Sequence, residues 1–242
     1  MLLFILGLFI GSFLNVLIYR IPRGESVVWP GSHCAQCGHP LKPLDLIPVL
    51  SYLFLRGKCR YCGVHISLRY PLVELLTALS FLLVYLQYEY TVMTAAGCIL
   101  AAMLIVVTFT DIDEGIIPDV ITYPGMLIGL GFAFFTIGIK SALIGMLGFG
   151  LIFFLIAILS RGGMGGGDVK LVAVFGAFLG PLHSVLVFIL SSLAGGLWAI
   201  GLLLFKGAGR KTEVRFGPFL ALSAFIVFLY GAELLNLYLS LF

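Results

Sequence analysis

Charge is scarce in this chain: 10% of its 242 residues are Asp, Glu, Lys or Arg, against about 25% in an ordinary soluble domain. Because 61% of the residues are hydrophobic, polar side chains are too few to cover a water-soluble globule. The composition therefore predicts an integral membrane protein embedded in a lipid bilayer. Several chemistries are also missing their signatures. Neither a Ser-His-Asp set nor a metal-binding His-Glu-x-x-His pattern occurs in the apolar runs. The one glycine-rich stretch lacks the Lys-Ser/Thr ending of a phosphate loop, and no Rossmann-type glycine fingerprint is present. A net charge of +3 is too small to argue for a nucleic-acid partner. No basic segment precedes the first apolar run; Arg20 and Arg23 follow it, so a cleavable signal is not expected.

What the chain has in abundance is hydrocarbon, in eight runs at about 2–19, 71–87, 92–110, 120–138, 141–160, 169–181, 183–205 and 217–240. At roughly 20 residues per span, these predict an all-α integral membrane protein of about eight transmembrane helices. Pro181 separates the sixth run from the seventh and predicts a tight turn there. Orientation follows from basic residues. With the N-terminus outside, the inner segments hold Arg20, Arg23, Lys42, Arg56, Lys58, Arg60, Arg69, Arg161, Lys170, Lys206, Arg210, Lys211 and Arg215. That is thirteen of the fourteen Lys and Arg residues, with Lys140 alone outside. The positive-inside rule then predicts both termini outside and the 20–70 segment in the cytoplasm.

Residues 162–168 read Gly-Gly-Met-Gly-Gly-Gly-Asp and interrupt the hydrocarbon; Asp111-Ile112-Asp113-Glu114 ends another apolar run. An acid at a membrane boundary is costly and marks a functional position. The topology puts Asp111 and Asp168 on the same inner face. Asp168 also reads as a helix N-cap, although a cap needs no glycine run, whereas close approach of a peptide backbone does. Asp113, Glu114 and Asp119 read as helix-end acids of the kind favoured near a helix N-terminus. Two carboxylates at close range share one proton, one drawing a proton from water while the other polarises a carbonyl. That is aspartic-protease chemistry. A transporter with broken helices and midplane acids fits less well, because these acids sit at span ends and the halves show no repeat.

Cys34-Ala-Gln-Cys37 and Cys59-Arg-Tyr-Cys62 form two Cys-x2-Cys pairs with twenty-one residues between them. Four thiolates so spaced can hold a structural zinc ion in a small ribbon-like loop module. Two disulfides are the competing reading, which a reducing cytoplasm disfavours. Gly38 and Gly63 follow each pair, where a tight knuckle turn tolerates little side chain. His33, His39 and His65 stand beside the cysteines as loop residues or substitute ligands, and Cys98 reads as a small buried apolar residue. A module of this size holds little core of its own, so zinc would supply folding free energy.

In their order and spacing, these motifs resemble the bacterial type IV prepilin peptidases. They are Gly11-Ser12-Phe13-Leu14-Asn15-Val16, the two Cys pairs, Arg69-Tyr70-Pro71-Leu72-Val73-Glu74, Asp111-Ile112-Asp113 with Pro118-Asp119, Gly165-Gly166-Gly167-Asp168-Val169-Lys170, and Phe216-Gly217-Pro218-Phe219. The resemblance implies that Asp111 and Asp168 are the catalytic pair. It implies cleavage of a short basic leader from prepilins or pseudopilins at the cytoplasmic face of the bacterial inner membrane. It also implies S-adenosylmethionine-dependent N-methylation of the new terminus, carried largely by the first span and the loop; Gly11, Asn15 and Glu74 match family patterns there without assigned roles. The expected division is a first span at 1–19, a zinc-binding loop with expected methyltransferase function at 20–70, and a peptidase region at 71–242. A broader intramembrane aspartic protease and a zinc-ribbon scaffold for pilus assembly are the alternatives.

Overall fold

The computed structural model describes residues 1–160, 164–206 and 215–240, the side chains of 205 and 206 excepted. It is helical: α1 (Leu2–Arg20), α2 (Leu50–Phe54), α3 (Arg69–Tyr88), α4 (Val92–Glu114), α5 (Asp119–Ala133), α6 (Ile139–Leu159), α7 (Gly166–Lys206) and α8 (Gly217–Leu239). Six of these, α1, α3, α4, α6, α7 and α8, are long and apolar enough to cross a membrane; α5 is apolar but shorter. Each of the eight apolar runs of the sequence carries helix, although the fourth, 120–138, outlasts α5, which ends at Ala133. The sixth and seventh are the two parts of α7, which breaks at Gly180 (φ 74°) immediately before Pro181. Proline removes a helical N–H and restricts the residue before it, and glycine accepts the positive φ that results.

The helices carry apolar side chains outward. On α6, Ile144, Leu147, Leu151, Phe154 and Ile158 are all exposed at helical spacing. In water such a stripe would be a liability; against lipid tails it is the ordinary outer surface of a spanning helix.

The chain divides into two compact units, residues 1–106 and 107–242. In the first, α1 packs along α3. The contact is backbone-close: a Cβ on Gly7 would lie 2.5 Å from Cα of Ala78, and one on Gly11 would lie 2.7 Å from Cα of Glu74. Small residues drive helix association in membranes in this way, by bringing dispersion contacts near where hydrophobicity offers no drive. Arg20, at the end of α1, is 6% exposed. Its guanidinium donates to the carbonyls of Ser26 (2.9 Å) and Gly31 (3.2 Å), tying the loop's start to the helix end.

In the second unit, α5, α6 and α8 each pack on α7. Residues 171–180 of α7 are buried without exception, so this stretch is the axis of the unit. A Cβ on Gly145 of α6 would lie 2.5 Å from the Gly176 carbonyl oxygen; here too glycine lets two helices touch through their backbones.

Candidate active site and cysteine cluster

Asp111 lies in the last turn of α4 and is 7% exposed. The helix stops three residues later because Gly115 takes a left-handed conformation (φ 70°) and returns its N–H to the Asp111 carbonyl at 2.9 Å. That is the usual glycine C-terminal cap. The last carbonyls of a helix lack internal partners and carry partial negative charge. Arg215 meets both needs: its Nη1 donates to the carbonyls of Asp111 and Ile112. The backbone N–H of Gly217 faces the Asp111 carboxyl. A Cβ at Gly217 would lie 2.7 Å from Oδ2 of Asp111, which is buried with no hydrogen-bond partner. An acceptor so placed is ready for a donor brought by substrate or water.

Asp168 enters from α7. It is not the N-cap but the third helical residue, since α7 begins at Gly166. Its own N–H donates to the Gly165 carbonyl at 3.1 Å, and the Gly165 N–H turns back to its carboxyl. The side chain is half-buried and within electrostatic reach of the Asp111 charge. The sequence offers close approach of a peptide backbone as the reason for the glycine run, and the structure gives Gly167 a packing reason. A Cβ there would lie 2.8 Å from Cβ of Ile117, a residue of the α4–α5 connection. Gly167 is thus a packing glycine that lets the α4–α5 loop touch the start of α7. Gly162 and Gly163 lie outside the described residues.

The other acids of the cluster separate from this pair. Asp113 and Glu114 are exposed and stand in the last turn of α4, so the favourable N-terminal setting expected for them does not apply. Asp119 does open a helix, α5, and forms an ion pair with Lys170 (2.6 Å), bracing the start of α5 against the start of α7.

In the first unit, the loop between α1 and α3 forms two near-identical knuckles. Cys34 N–H donates to His39 O (3.0 Å) and Gly38 N–H to Cys34 O (2.8 Å). In the second knuckle Cys59 N–H donates to Val64 O (2.8 Å) and Gly63 N–H to Cys59 O (3.0 Å). Gly38 and Gly63 have φ of 69° and 73°, with nothing within 4 Å of where a Cβ would stand. Their requirement is therefore conformational, not one of space. The four sulfurs lie within 4.8 Å of one another, with Cys34 and Cys62 at 3.9 Å. Zinc–sulfur bonds of about 2.3 Å in a tetrahedron put sulfurs about 3.8 Å apart, so the set fits a divalent metal. The thiols respond to their crowding. The backbone N–H of Cys37 draws the Cys34 thiol down to about 7, against the opposing effect of burial. The Val64 N–H favours the Cys62 thiolate, yet burial and the neighbouring cysteines push that thiol up to about 11. A bound cation would let all four ionise together.

Asp45, in the same loop, has a side chain only 3% exposed. It accepts from Arg60 Nε (2.6 Å), Tyr61 Oη (2.9 Å) and Lys42 N–H (3.1 Å), clamping the second knuckle from outside the metal set. Burial raises the carboxyl, but these donors outweigh it and hold Asp45 below its ordinary range. The histidines take other roles: His33 Nδ1 meets the Gly31 carbonyl at 2.9 Å and His39 packs on the Tyr61 ring.

The sequence pattern of the bacterial peptidase A24 N-terminal domain matches residues 5–88, and that of the type IV leader peptidase family matches residues 98–200. A multi-pass membrane protein of bacterial type, with an aspartic peptidase region, is the class so defined. Proteins described as prepilin leader peptidase/N-methyltransferase from Aeromonas hydrophila, Neisseria gonorrhoeae and Pseudomonas aeruginosa are 37%, 39% and 34% identical to this chain. The alignments cover 100%, 93% and 98% of this chain and 94%, 88% and 92% of theirs. No solved structure matches it. The chain belongs to the type IV leader peptidase family.

Proposed function

We propose that the chain removes the leader peptide of type IV prepilins or pseudopilins with Asp111 and Asp168, and then methylates the amine it exposes. The observation that carries the peptidase reading is the pairing of two carboxylates from the end of α4 and the start of α7, one with a buried, unpartnered oxygen.

The chemistry needs no metal in the peptidase site. One ionised carboxylate takes a proton from a water molecule, whose oxygen bonds to the scissile carbonyl carbon, while the protonated partner gives its proton to the carbonyl oxygen. Collapse of the resulting diol breaks the C–N bond, and the amine leaves with a proton from the dyad. Cys34, Cys37, Cys59 and Cys62 hold zinc, which supplies folding free energy to a loop poor in core. S-adenosylmethionine supplies the methyl group, and the first unit, with α1 and the loop, handles it. The basic residues favour an orientation with both termini outside and the dyad at the cytoplasmic face.

Asp111→Asn and Asp168→Asn, purified folded in detergent, are tested on a full-length prepilin. Each loses cleavage by about 10²–10⁴-fold, the usual contribution of a positioned acid or base. Processing at the unsubstituted rate by either variant rejects the dyad.

A further inference from the structure

The first unit contains an open-mouthed cavity of about 360 Å³ lined by α1, the start of α3 and the cysteine loop. That volume is within the range of small-molecule sites, about 300–1,000 Å³. Two buried acceptors on its wall want a positive or hydrogen-donating guest. Asn15 is 3% exposed; its Nδ2 is committed to the carbonyls of Tyr70 (3.1 Å) and Gly11 (3.3 Å), and its Oδ1 has no partner. Glu74 is 8% exposed; its Oε2 accepts the Val49 N–H at 2.7 Å, and the Ser12 hydroxyl also faces the carboxyl.

Among the described residues, the groups shown acting on that carboxylate are the Val49 N–H and the Ser12 hydroxyl. The two arginines on the same wall are engaged elsewhere, Arg20 with the carbonyls of Ser26 and Gly31 and Arg60 with Asp45. A buried acceptor left open, as Asn15 Oδ1 is, is costly unless a ligand completes it. Tyr19, Tyr52 and Tyr70 also line the space and offer rings to a flat heterocycle.

We propose that this cavity takes the methyl donor, S-adenosylmethionine, with Glu74 and Asn15 holding its cationic end. The proposal rests on the methyltransferase reading above and adds the site. A sulfonium keeps its positive charge at every pH, matching a buried carboxylate, and the adjoining ammonium brings N–H donors for Asn15 Oδ1. The adenine supplies the flat face for the tyrosines. In the transfer, the lone pair of the new terminal amine forms the N–C bond. The S–C bond breaks with its electrons returning to sulfur as a thioether, and the surplus amine proton passes to water.

The test uses the full chain with its metal, in detergent. The wild-type protein is irradiated with a radiolabelled azido-adenine analogue of S-adenosylmethionine and digested. Label is expected on peptides covering residues 12–20 or 41–74, and excess S-adenosylmethionine suppresses it. In equilibrium binding, Glu74→Gln and Asn15→Leu each weaken S-adenosylmethionine by about tenfold or more, and Glu74→Asp recovers part of the loss. Label confined to residues 107–242, or unchanged affinity in both variants, overturns the cavity assignment while methyl transfer itself stands. A folded wild-type protein that neither binds nor uses the donor overturns the methyltransferase reading as well.

Discussion

Gly217 and Asp111 are in van der Waals contact across 106 positions of sequence: a single added carbon on the glycine would intrude to 2.7 Å from the carboxylate oxygen Oδ2. The start of α8 is therefore one wall of the proposed dyad. Gly217→Ala is expected to displace the Asp111 carboxyl and lower the turnover of prepilin by about 10²-fold, the cost of a misplacement of about 1 Å. Steady-state kinetics against a thermal-unfolding control will separate this from loss of fold. Unaltered turnover would mean that Asp111 is not held by α8.

The contact between Gly167 and Ile117 makes a paired prediction. Gly167→Ala drives a carbon to 2.8 Å from Cβ of Ile117, and overpacking of this kind costs typically about 1–3 kcal/mol. Ile117→Gly removes the opposing atoms, so Gly167→Ala should cost less thermal stability in that background than in the wild type, read as a double-mutant cycle. An equal cost in the two backgrounds would mean that Gly167 is not required by its contact with Ile117.

Arg215 acts through backbone carbonyls, so its removal should misplace the end of α4 without touching substrate. Arg215→Ala is expected to lower kcat by about tenfold with a smaller change in KM, and Arg215→Lys to restore part of it. A loss confined to KM would instead put Arg215 in substrate binding.

For the cysteine module, elemental analysis of protein purified without chelator should find zinc, and Cys59→Ser should lose it. Asp45→Asn should speed zinc loss to a chelator by loosening the second knuckle. The Asp45 carboxyl is depressed in the folded protein. Its stabilisation is therefore fully present above the ordinary Asp value and is lost as pH falls through the folded value. The gap in thermal midpoint between wild type and Asp45→Asn should accordingly close as the buffer is made acidic; a gap that widens would contradict the clamp.

The helices were legible because lipid demands long apolar runs with their backbones internally bonded. Even the break at Gly180–Pro181 was marked by its proline. Asp111, Asp168 and the four cysteines were legible because polar or ligating residues in such a chain need a reason. What escaped the sequence depends on partners far along the chain. Arg215 was counted as one more inner basic residue, yet it sits on carbonyls 104 and 103 positions away. Gly217 was noticed only as part of a family motif, and the carboxylate it accommodates is invisible without coordinates. Asp113 and Glu114 were misread because the sequence shows an acid near a helix end but not which end receives it.

The buried stretch of α7 has a consequence for how the enzyme meets different membranes. Residues 171–180 have no face toward lipid. The part of α7 before the break, residues 166–179, reaches about 21 Å at 1.5 Å per residue, short of the roughly 30 Å hydrocarbon layer. Hydrophobic mismatch tilts and stretches helices that lipid can grip. The rod that carries Asp168 is shielded from that grip by α5, α6 and α8. The depth of Asp168, the proposed catalytic acid, is thus fixed by protein neighbours, and the register of prepilin cleavage is expected to stay constant when bilayer thickness varies.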